Sequence, residues 1–319
     1  MKNSVLYYSV GPLLYCPANH TGIAGSLIRE RFGKSFSLAL CLEDTIADHH
    51  VADAEKQLAA TIKTLFCTSR EASFFLPKIF IRVRNPQQIL ALPDQFGDAS
   101  QLITGFIIPK FSPKNADDYM DAVLLVNKAL NRPVYMMPIL EDPALIDLRT
   151  RHEILYQLKD QLSSMEDLIL NVRVGGNDLC HVFGFRRRCQ ESIHSIASIC
   201  GIFSDIITVF GTDYVVSGPV WEYYNGKKWK NGLKKELEED RLCGFTGKTV
   251  IHPRQIQLVN DAYKVSKKDL ADARSILGWD ADAPHLVAGS VAGERMNEYK
   301  VHSNWASRIL MLSEAFGVR

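Results

Sequence analysis

Short apolar runs alternate with longer segments of helical periodicity along the whole chain. We count about eight such runs, at 12–16, 36–42, 78–84, 105–109, 132–142, 168–174, 214–217 and 249–251. This alternation is typical of repeated βαβ units around a parallel sheet, and about eight units close a barrel. The pattern therefore predicts an α/β fold, a (β/α)8 TIM barrel, over residues 1–265.

The chain continues beyond what a bare barrel needs. Helical periodicity returns at 267–277 and 301–316, with a glycine-bearing link at 289–293 between them. Appendages to a barrel often serve function rather than the core. We predict a C-terminal helical extension over 266–319, acting as a lid or as a subunit contact.

Carboxylates follow two of the predicted strands at the point where each ends. Glu141 and Asp142 close the fifth run, and Asp178 follows the glycines that end the sixth. The carboxyl ends of parallel strands meet at one edge of the sheet, so these side chains are predicted to form an oxygen-rich site suited to a hard divalent cation. The alternative is that each carboxylate caps the helix that follows it.

Charged residues also follow the second and third runs. Glu43 and Asp44 come directly after the second, and Arg82 and Arg84 share one face of the third because side chains alternate along a strand. An edge strand that exposes its arginines to solvent would give the same pattern. Further along, Arg186, Arg187 and Arg188 form a dense basic run that suggests a solvated loop or, alternatively, a phosphate-binding or CoA-binding loop.

Composition limits the partners. Lys and Arg total 37 against 36 Asp and Glu, a balance that disfavours nucleic acid and anionic membranes as partners. No apolar run approaches the roughly 20 residues that span a bilayer. Seven cysteines without a C-x-x-C pair fit a reducing compartment, so we expect a cytoplasmic protein that binds small molecules or copies of itself.

Several motifs together carry a family resemblance. In chain order they are CLEDTIAD (41–48), IRVRNP (81–86), IIPKF (107–111), PILE (138–141), GGNDL (175–179), SGPVWE (217–222) and GFTGKTVIHPRQI (244–256). Most are short, but the last is long and specific, and the set runs collinearly across nearly the whole chain. The sequence resembles the HpcH/HpaI aldolase and citrate lyase beta-subunit family.

The resemblance implies a TIM barrel of the phosphoenolpyruvate/pyruvate type, oligomeric as a trimer or hexamer, that makes or breaks a carbon–carbon bond next to a carbonyl. It implies Mg²⁺, or Mn²⁺, and an oxoacid, hydroxy acid or acyl-CoA-like substrate. The implied roles fall on these residues: metal binding on Glu141 and Asp178, catalysis on Arg82, Glu43 and Asp44, and substrate binding on Arg82, Arg84, Lys110 and His252.

Three positions depart from the family pattern. No arginine stands near Gly11, Ser217 occupies a position where Asp is expected, and the C-terminal acid is missing or displaced to Glu294 or Glu298. These departures leave two alternatives beside a lyase. One is an acyl-thioester hydrolase or condensing enzyme on the same site, and the other is a subunit that has lost catalysis and serves binding or assembly.

Overall fold

A parallel barrel forms the centre of the molecule. The computed structural model describes residue 2 and residues 4–319. Its barrel strands are β1 (Pro12–Pro17), β2 (Ser37–Cys41), β3 (Lys78–Arg82), β4 (Ile103–Ile108), β5 (Tyr135–Leu140), β6 (Val172–Val174), β7 (Val216–Ser217) and β8 (Lys248–Val250). They lie in the order β7-β6-β5-β4-β3-β2-β1-β8, and a parallel bridge between Gly218 and Lys248 closes the gap between β7 and β8. The predicted TIM barrel is confirmed.

Helices surround this barrel. They are α1 (Val5–Tyr8), α2 (Ile23–Ile28), α3 (Val51–Glu71), α4 (Pro86–Phe96), α5 (Ala116–Leu130), α6 (Arg151–Ser163), α7 (Gly176–Val182), α8 (Ala197–Phe210), α9 (Trp229–Leu242), α10 (Ile256–Tyr263), α11 (Lys267–Leu277) and α12 (Tyr299–Phe316). Helix α4 was not predicted individually from the sequence. Its start is encoded by Asn85, whose side chain accepts a hydrogen bond from the Gln88 amide, and by Pro86 in the first turn.

Apolar side chains fill the barrel on both sides of the sheet. Inward-facing residues form an interior cluster, which comprises Val10, Leu13, Ala39, Phe80, Ile107, Met137, Ile139 and Leu170. Outward-facing residues such as Leu40 and Ile81 pack against the helices and are fully buried. Burial of one such side chain stabilises the folded state by about 1.5–3 kcal/mol. The barrel is therefore a rigid support for residues at its rim.

A buried ionic cluster joins β8 to α9. Lys248, inaccessible to solvent, lies 2.9 Å from a Glu236 carboxylate oxygen and 2.7 Å from one of Asp240. Arg187 also pairs with Glu236 at 3.1 Å, and His194 contacts Asp240 at 2.8 Å. The Arg187 side chain is buried and pairs with a carboxylate of α9. The interpretation of the basic run as a solvated loop is therefore wrong for Arg187.

The C-terminal extension packs at the amino end of the strands. Leu312 and Phe316 of α12 belong to the main core, and Phe316 lies against Gly11 ahead of β1 and against the ring of Tyr263. Helix α11 packs on α12, and a hairpin of β9 (Val287–Gly289) and β10 (Met296–Glu298) connects them. This position is remote from the strands' carboxyl ends, and the lid and subunit-contact roles stay predictions.

Within the described part of the chain, no helix is long and apolar enough to cross a membrane.

Candidate active site

A cavity of about 240 Å³ opens at the carboxyl end of the barrel. Its lining residues come from several strand ends and comprise Tyr15, Arg82, Ile139, Glu141, Arg173, Val174, Gly175, Gly176, Asn177, Asp178, Val220, Thr249 and Ile251. The site residues that the sequence places after β3, β5 and β6 therefore line one space.

Glu141 and Asp178 lie side by side in this cavity. Glu141 follows β5 directly and is only 3% exposed, while Asp178 sits in the first turn of α7 and is half-buried. Neither side chain caps a helix, whereas Asp142 accepts a hydrogen bond from the Ala144 amide and does cap the turn that follows. The cap alternative is thus right for Asp142 alone.

Burial dominates the electrostatics of this pair. It raises the pKa of Glu141 to about 8, Arg82 opposes that rise and Asp178 adds to it. The negative charge of Asp178 therefore disfavours ionisation of Glu141 unless a proton or a cation compensates it. No group of three or more His, Cys, Asp or Glu ligands occurs in the described residues. A pair of carboxylates beside an open cavity suits an ion such as Mg²⁺, which keeps several ligand positions for water or substrate.

Gly175 makes room for the Glu141 carboxylate. A Cβ atom on Gly175 would lie 2.1 Å from Oε2 of Glu141, which is far inside van der Waals contact. The glycine that ends the sixth apolar run is therefore required by the approach of the carboxylate and not only by the turn of the chain.

Gly175→Ala is expected to displace Glu141 and to weaken divalent-cation binding by at least about tenfold, a typical loss when support for a ligand is removed. Isothermal titration with Mn²⁺ measures the change. Gly201→Ala is the matched control, because a Cβ on this exposed helical glycine meets nothing within 4 Å. Equal affinities in the two variants would show that Gly175 does not position the carboxylate.

The metal-free protein is expected to lose stability as pH rises. Glu141 holds its proton up to about pH 8 when folded but only to about 4.5 when unfolded. Between these values the folded state binds more protons than the unfolded state, so the free energy of unfolding falls with rising pH.

Glu141→Gln should remove this slope, and in EDTA at pH 8 the variant should be more stable than wild type by more than about 1 kcal/mol. Urea unfolding at pH 5 and pH 8 gives the comparison. Glu238→Gln, on the exposed face of α9, serves as the control. Parallel pH dependence in wild type and Glu141→Gln would contradict the assignment of the raised pKa.

Arg82 connects the pair to the acidic residues after β2. Its Nη2 lies 2.7 Å from Oε2 of Glu43, 3.0 Å from Oδ2 of Asp44 and 3.3 Å from Oε1 of Glu141. The Arg82 side chain is largely buried, and its Nε finds no hydrogen-bond partner among the described residues. Glu43 and Asp44 thus hold the guanidinium group of Arg82 beside the cavity.

Lys110 contacts the same acidic residues from outside the cavity lining. Its backbone N–H donates to Glu141 at 3.0 Å, and its Nζ donates to Glu43 at 2.6 Å and to Asp44 at 3.2 Å. Burial lowers the pKa of Lys110, but the hydrogen bonds to Glu43 and Asp44 outweigh burial and raise it. The residue has a left-handed φ of 48°, which turns its amide toward Glu141.

Two of the predicted substrate-binding residues have other contacts. Arg84 donates from Nε to the carbonyl of Leu42 at 2.7 Å and pairs with Asp48, so it fastens the segment after β2. His252 accepts a hydrogen bond from the Arg254 amide and stacks on Tyr224 at 4.6 Å between ring centroids. Neither side chain lines the cavity.

Arg173, Tyr15 and Thr249 line the cavity although they were not among the predicted site residues. The available signal was the alternation within the sixth run, where a single arginine interrupts aliphatic residues. Two of the positions that depart from the family pattern can be placed. Ser217 is buried, and its hydroxyl lacks a hydrogen-bond partner within the described structure. Glu294 pairs with Lys268 in the C-terminal extension, away from the cavity.

Solved structures share this fold. The CitE protein of Mycobacterium tuberculosis, in complex with magnesium, acetoacetate and coenzyme A, aligns with a TM-score of 0.60 at 18% identity over 97% of this chain and 99% of that one. A citrate lyase from Burkholderia xenovorans aligns with a TM-score of 0.72 at 14% identity, over 97% of this chain and 93% of that one.

Curated relatives match over shorter stretches. A (3S)-malyl-CoA thioesterase of Cereibacter sphaeroides is 32% identical over 143 residues, 44% of this chain and 47% of that protein. The citrate lyase subunit beta of Haemophilus influenzae is 32% identical over 69 residues, 22% of this chain and 24% of that subunit. The chain therefore matches less than half the length of these relatives.

The fold and the site define a TIM barrel with a paired carboxylate centre at the carboxyl ends of its strands. A family model described as C-C_Bond_Lyase of the TIM-Barrel fold matches residues 4–318. The chain belongs to this family, and the resemblance drawn from its motifs is confirmed.

Proposed function

We propose that this chain is a Mg²⁺-dependent carbon–carbon bond lyase or aldolase, similar to the citrate lyase beta subunit. The observation that carries the proposal is buried Glu141 and half-buried Asp178 on the wall of one cavity, with Arg82 3.3 Å from Glu141. A buried acid beside a second carboxylate costs several kcal/mol when no cation compensates it, and a barrel without catalysis has no reason to keep that arrangement. This favours an enzyme over a lapsed binding or assembly subunit.

Structural relatives support the choice of ligands. CitE of Mycobacterium tuberculosis has been solved with magnesium and oxaloacetate and with magnesium and pyruvate. We infer that Glu141 and Asp178 hold Mg²⁺, with Mn²⁺ as a substitute. When bound, the ion supplies a Lewis acid that orients the carboxylate and carbonyl oxygens of an oxoacid.

Side chains of the protein then stabilise developing charge and hold one another in position. Cleavage next to a carbonyl leaves an enolate, whose developing negative charge Arg82 can stabilise through a preorganised hydrogen bond. Glu43 and Asp44 keep the guanidinium in place through contacts of 2.7 and 3.0 Å. Lys110 donates its amide to Glu141 and its ammonium group to Glu43 and Asp44, and so balances their negative charge beside the cavity.

One second activity has specific support. The identity with (3S)-malyl-CoA thioesterases favours hydrolysis of an acyl thioester on the same site, and these relatives match at 32% identity. Both activities start from a hydroxyacyl thioester bound at the same carboxylate pair. The lyase breaks its carbon–carbon bond and the thioesterase breaks its carbon–sulfur bond, so they are distinguished by their products.

We also propose that the chain forms homo-oligomers in the cytoplasm. Leu90 of α4 and Leu124 and Leu125 of α5 are 43%, 43% and 56% exposed, an apolar surface that a neighbouring copy could cover. Every cysteine, all seven of them within the described residues, is free, which fits a reducing compartment.

Product analysis with (3S)-malyl-CoA and Mg²⁺ tests the function. A lyase yields acetyl-CoA and glyoxylate, whereas a thioesterase yields malate and the free thiol of CoA. Exchange of solvent deuterium into the methyl groups of pyruvate and acetyl-CoA detects enolate formation when the natural partner is unknown. The absence of both sets of products, together with the absence of deuterium exchange, would contradict the proposal.

A further inference from the structure

Arg173 is a buried cation inside the barrel. It lies at the middle of β6, is 2% exposed, and lines the same cavity as Glu141 and Asp178. Its Nη2 donates to the hydroxyl of Thr249 at 2.6 Å, and its Nη1 to the side-chain oxygen of Asn171 at 3.3 Å. The guanidinium group thus reaches across the interior from β6 to β8.

All contacts made by Arg173 within the described structure are to neutral groups. Tyr15, which is half-buried in the same cavity wall, is a further neutral neighbour. The other buried arginines behave differently, since Arg82 pairs with Glu43 and Arg187 with Glu236. Among the residues described, no carboxylate lies within 4.0 Å of Arg173.

A lone buried cation is costly. An ion without a counter-ion pays several kcal/mol of desolvation, and neutral hydrogen bonds recover only part of it. Burial lowers the pKa of Arg173, and the partial compensation comes from Tyr15. The remaining cost is removed when an anion enters the cavity, because an arginine fork binds a carboxylate through two parallel hydrogen bonds.

We infer that Arg173 binds a second carboxylate of the substrate inside the barrel and so makes the site selective for a short dianionic oxoacid or hydroxy acid. The inference rests on the proposed function, in which the first carboxylate and the carbonyl are held at Glu141 and Asp178. The cavity of about 240 Å³ supports a ligand of this size, since drug-sized ligands occupy roughly 300–1,000 Å³.

A matched ligand pair tests the inference. Oxaloacetate and 2-oxobutyrate have the same chain length and the same oxoacid end, and they differ by a carboxylate in place of a methyl group. Calorimetry with Mn²⁺ should show that wild type binds oxaloacetate about tenfold or more tightly, the range expected for a charge-assisted hydrogen bond. Arg173→Met should bind both ligands equally, with unchanged affinity for 2-oxobutyrate and for Mn²⁺.

Two further variants serve as a conservative substitution and as a control. Arg173→Lys keeps the charge and should retain part of the preference, which protects the comparison if the methionine variant folds poorly. Lys78→Met is the control, because Lys78 is a half-buried cation at the amino end of β3 that donates to the Ser9 carbonyl and does not line the cavity. It should keep the wild-type preference.

The metal-free arm separates this inference from the proposed function. In EDTA, malonate should raise the melting temperature of wild type and of Lys78→Met, but not that of Arg173→Met. Loss of this effect in Arg173→Met supports the inference even where Mn²⁺ fails to bind, a failure that contradicts only the proposed function. Equal stabilisation of Arg173→Met and wild type by malonate, or an unchanged preference for oxaloacetate in Arg173→Met, overturns it.

Discussion

Replacing Glu141 with alanine is expected to abolish Mg²⁺ and Mn²⁺ binding and, with it, turnover, while the fold stays intact. Glu141 is one of two carboxylates in the cavity, and it also receives the amide of Lys110 and a contact from Arg82. Removal of a carboxylate leaves Asp178 as a single ligand, which is too few for a dilute divalent ion. The same loss is expected for Asp178→Ala.

Titration calorimetry with Mn²⁺, together with circular dichroism, measures both halves of this prediction. Asp142→Ala is the matched control, since it removes an adjacent negative charge that caps a turn and lies outside the cavity lining. The control should bind Mn²⁺ normally and lose about 1 kcal/mol of stability at most from the missing cap. Unchanged Mn²⁺ affinity in both Glu141→Ala and Asp178→Ala would remove the metal hypothesis.

Arg82→Lys is expected to lower turnover by about 10²–10³, the usual cost of a lost donor to a developing oxyanion. Lysine keeps the positive charge near Glu43 and Asp44, so stability should change little. What it loses is the planar fork, including the Nε that has no partner within the described structure. Solvent-deuterium exchange reports turnover, and thermal unfolding reports stability.

Arg132→Lys is the control for this substitution. Arg132 donates to the backbone carbonyl of Ser100 at 2.7 Å and lies on the loop between α5 and β5, away from the cavity. It should retain full turnover. Normal turnover in Arg82→Lys would assign Arg82 a structural role only.

The barrel could be predicted from sequence because each strand is a local apolar run with clear punctuation. Strand lengths could not, since they depend on partners elsewhere in the chain. The run 168–174 pairs as a strand only over Val172–Val174, and β7 is limited to Val216–Ser217 by the glycine and proline that follow. Pro86 can close the third apolar run and also suits the first turn of a helix, so this residue alone does not predict α4.

The carboxylate pair was predictable because position at a strand's end determines where a side chain points in a parallel barrel. The environments of the arginines could not be predicted from the sequence. Arg187 is buried by Glu236, 49 residues later, and Arg173 meets Thr249 only after the barrel closes. The local pattern shows that an arginine interrupts the sixth run, but it does not show which distant residues surround Arg173 or Arg187.

An anomalous-scattering map of crystals soaked with Mn²⁺ and oxaloacetate or pyruvate tests the central claim most directly. The account predicts a manganese peak between Glu141 and Asp178, with the oxoacid chelated to it and within hydrogen-bond reach of Arg82. An empty site at millimolar Mn²⁺, in crystals where both carboxylates are ordered, would contradict a metal-dependent lyase in this barrel.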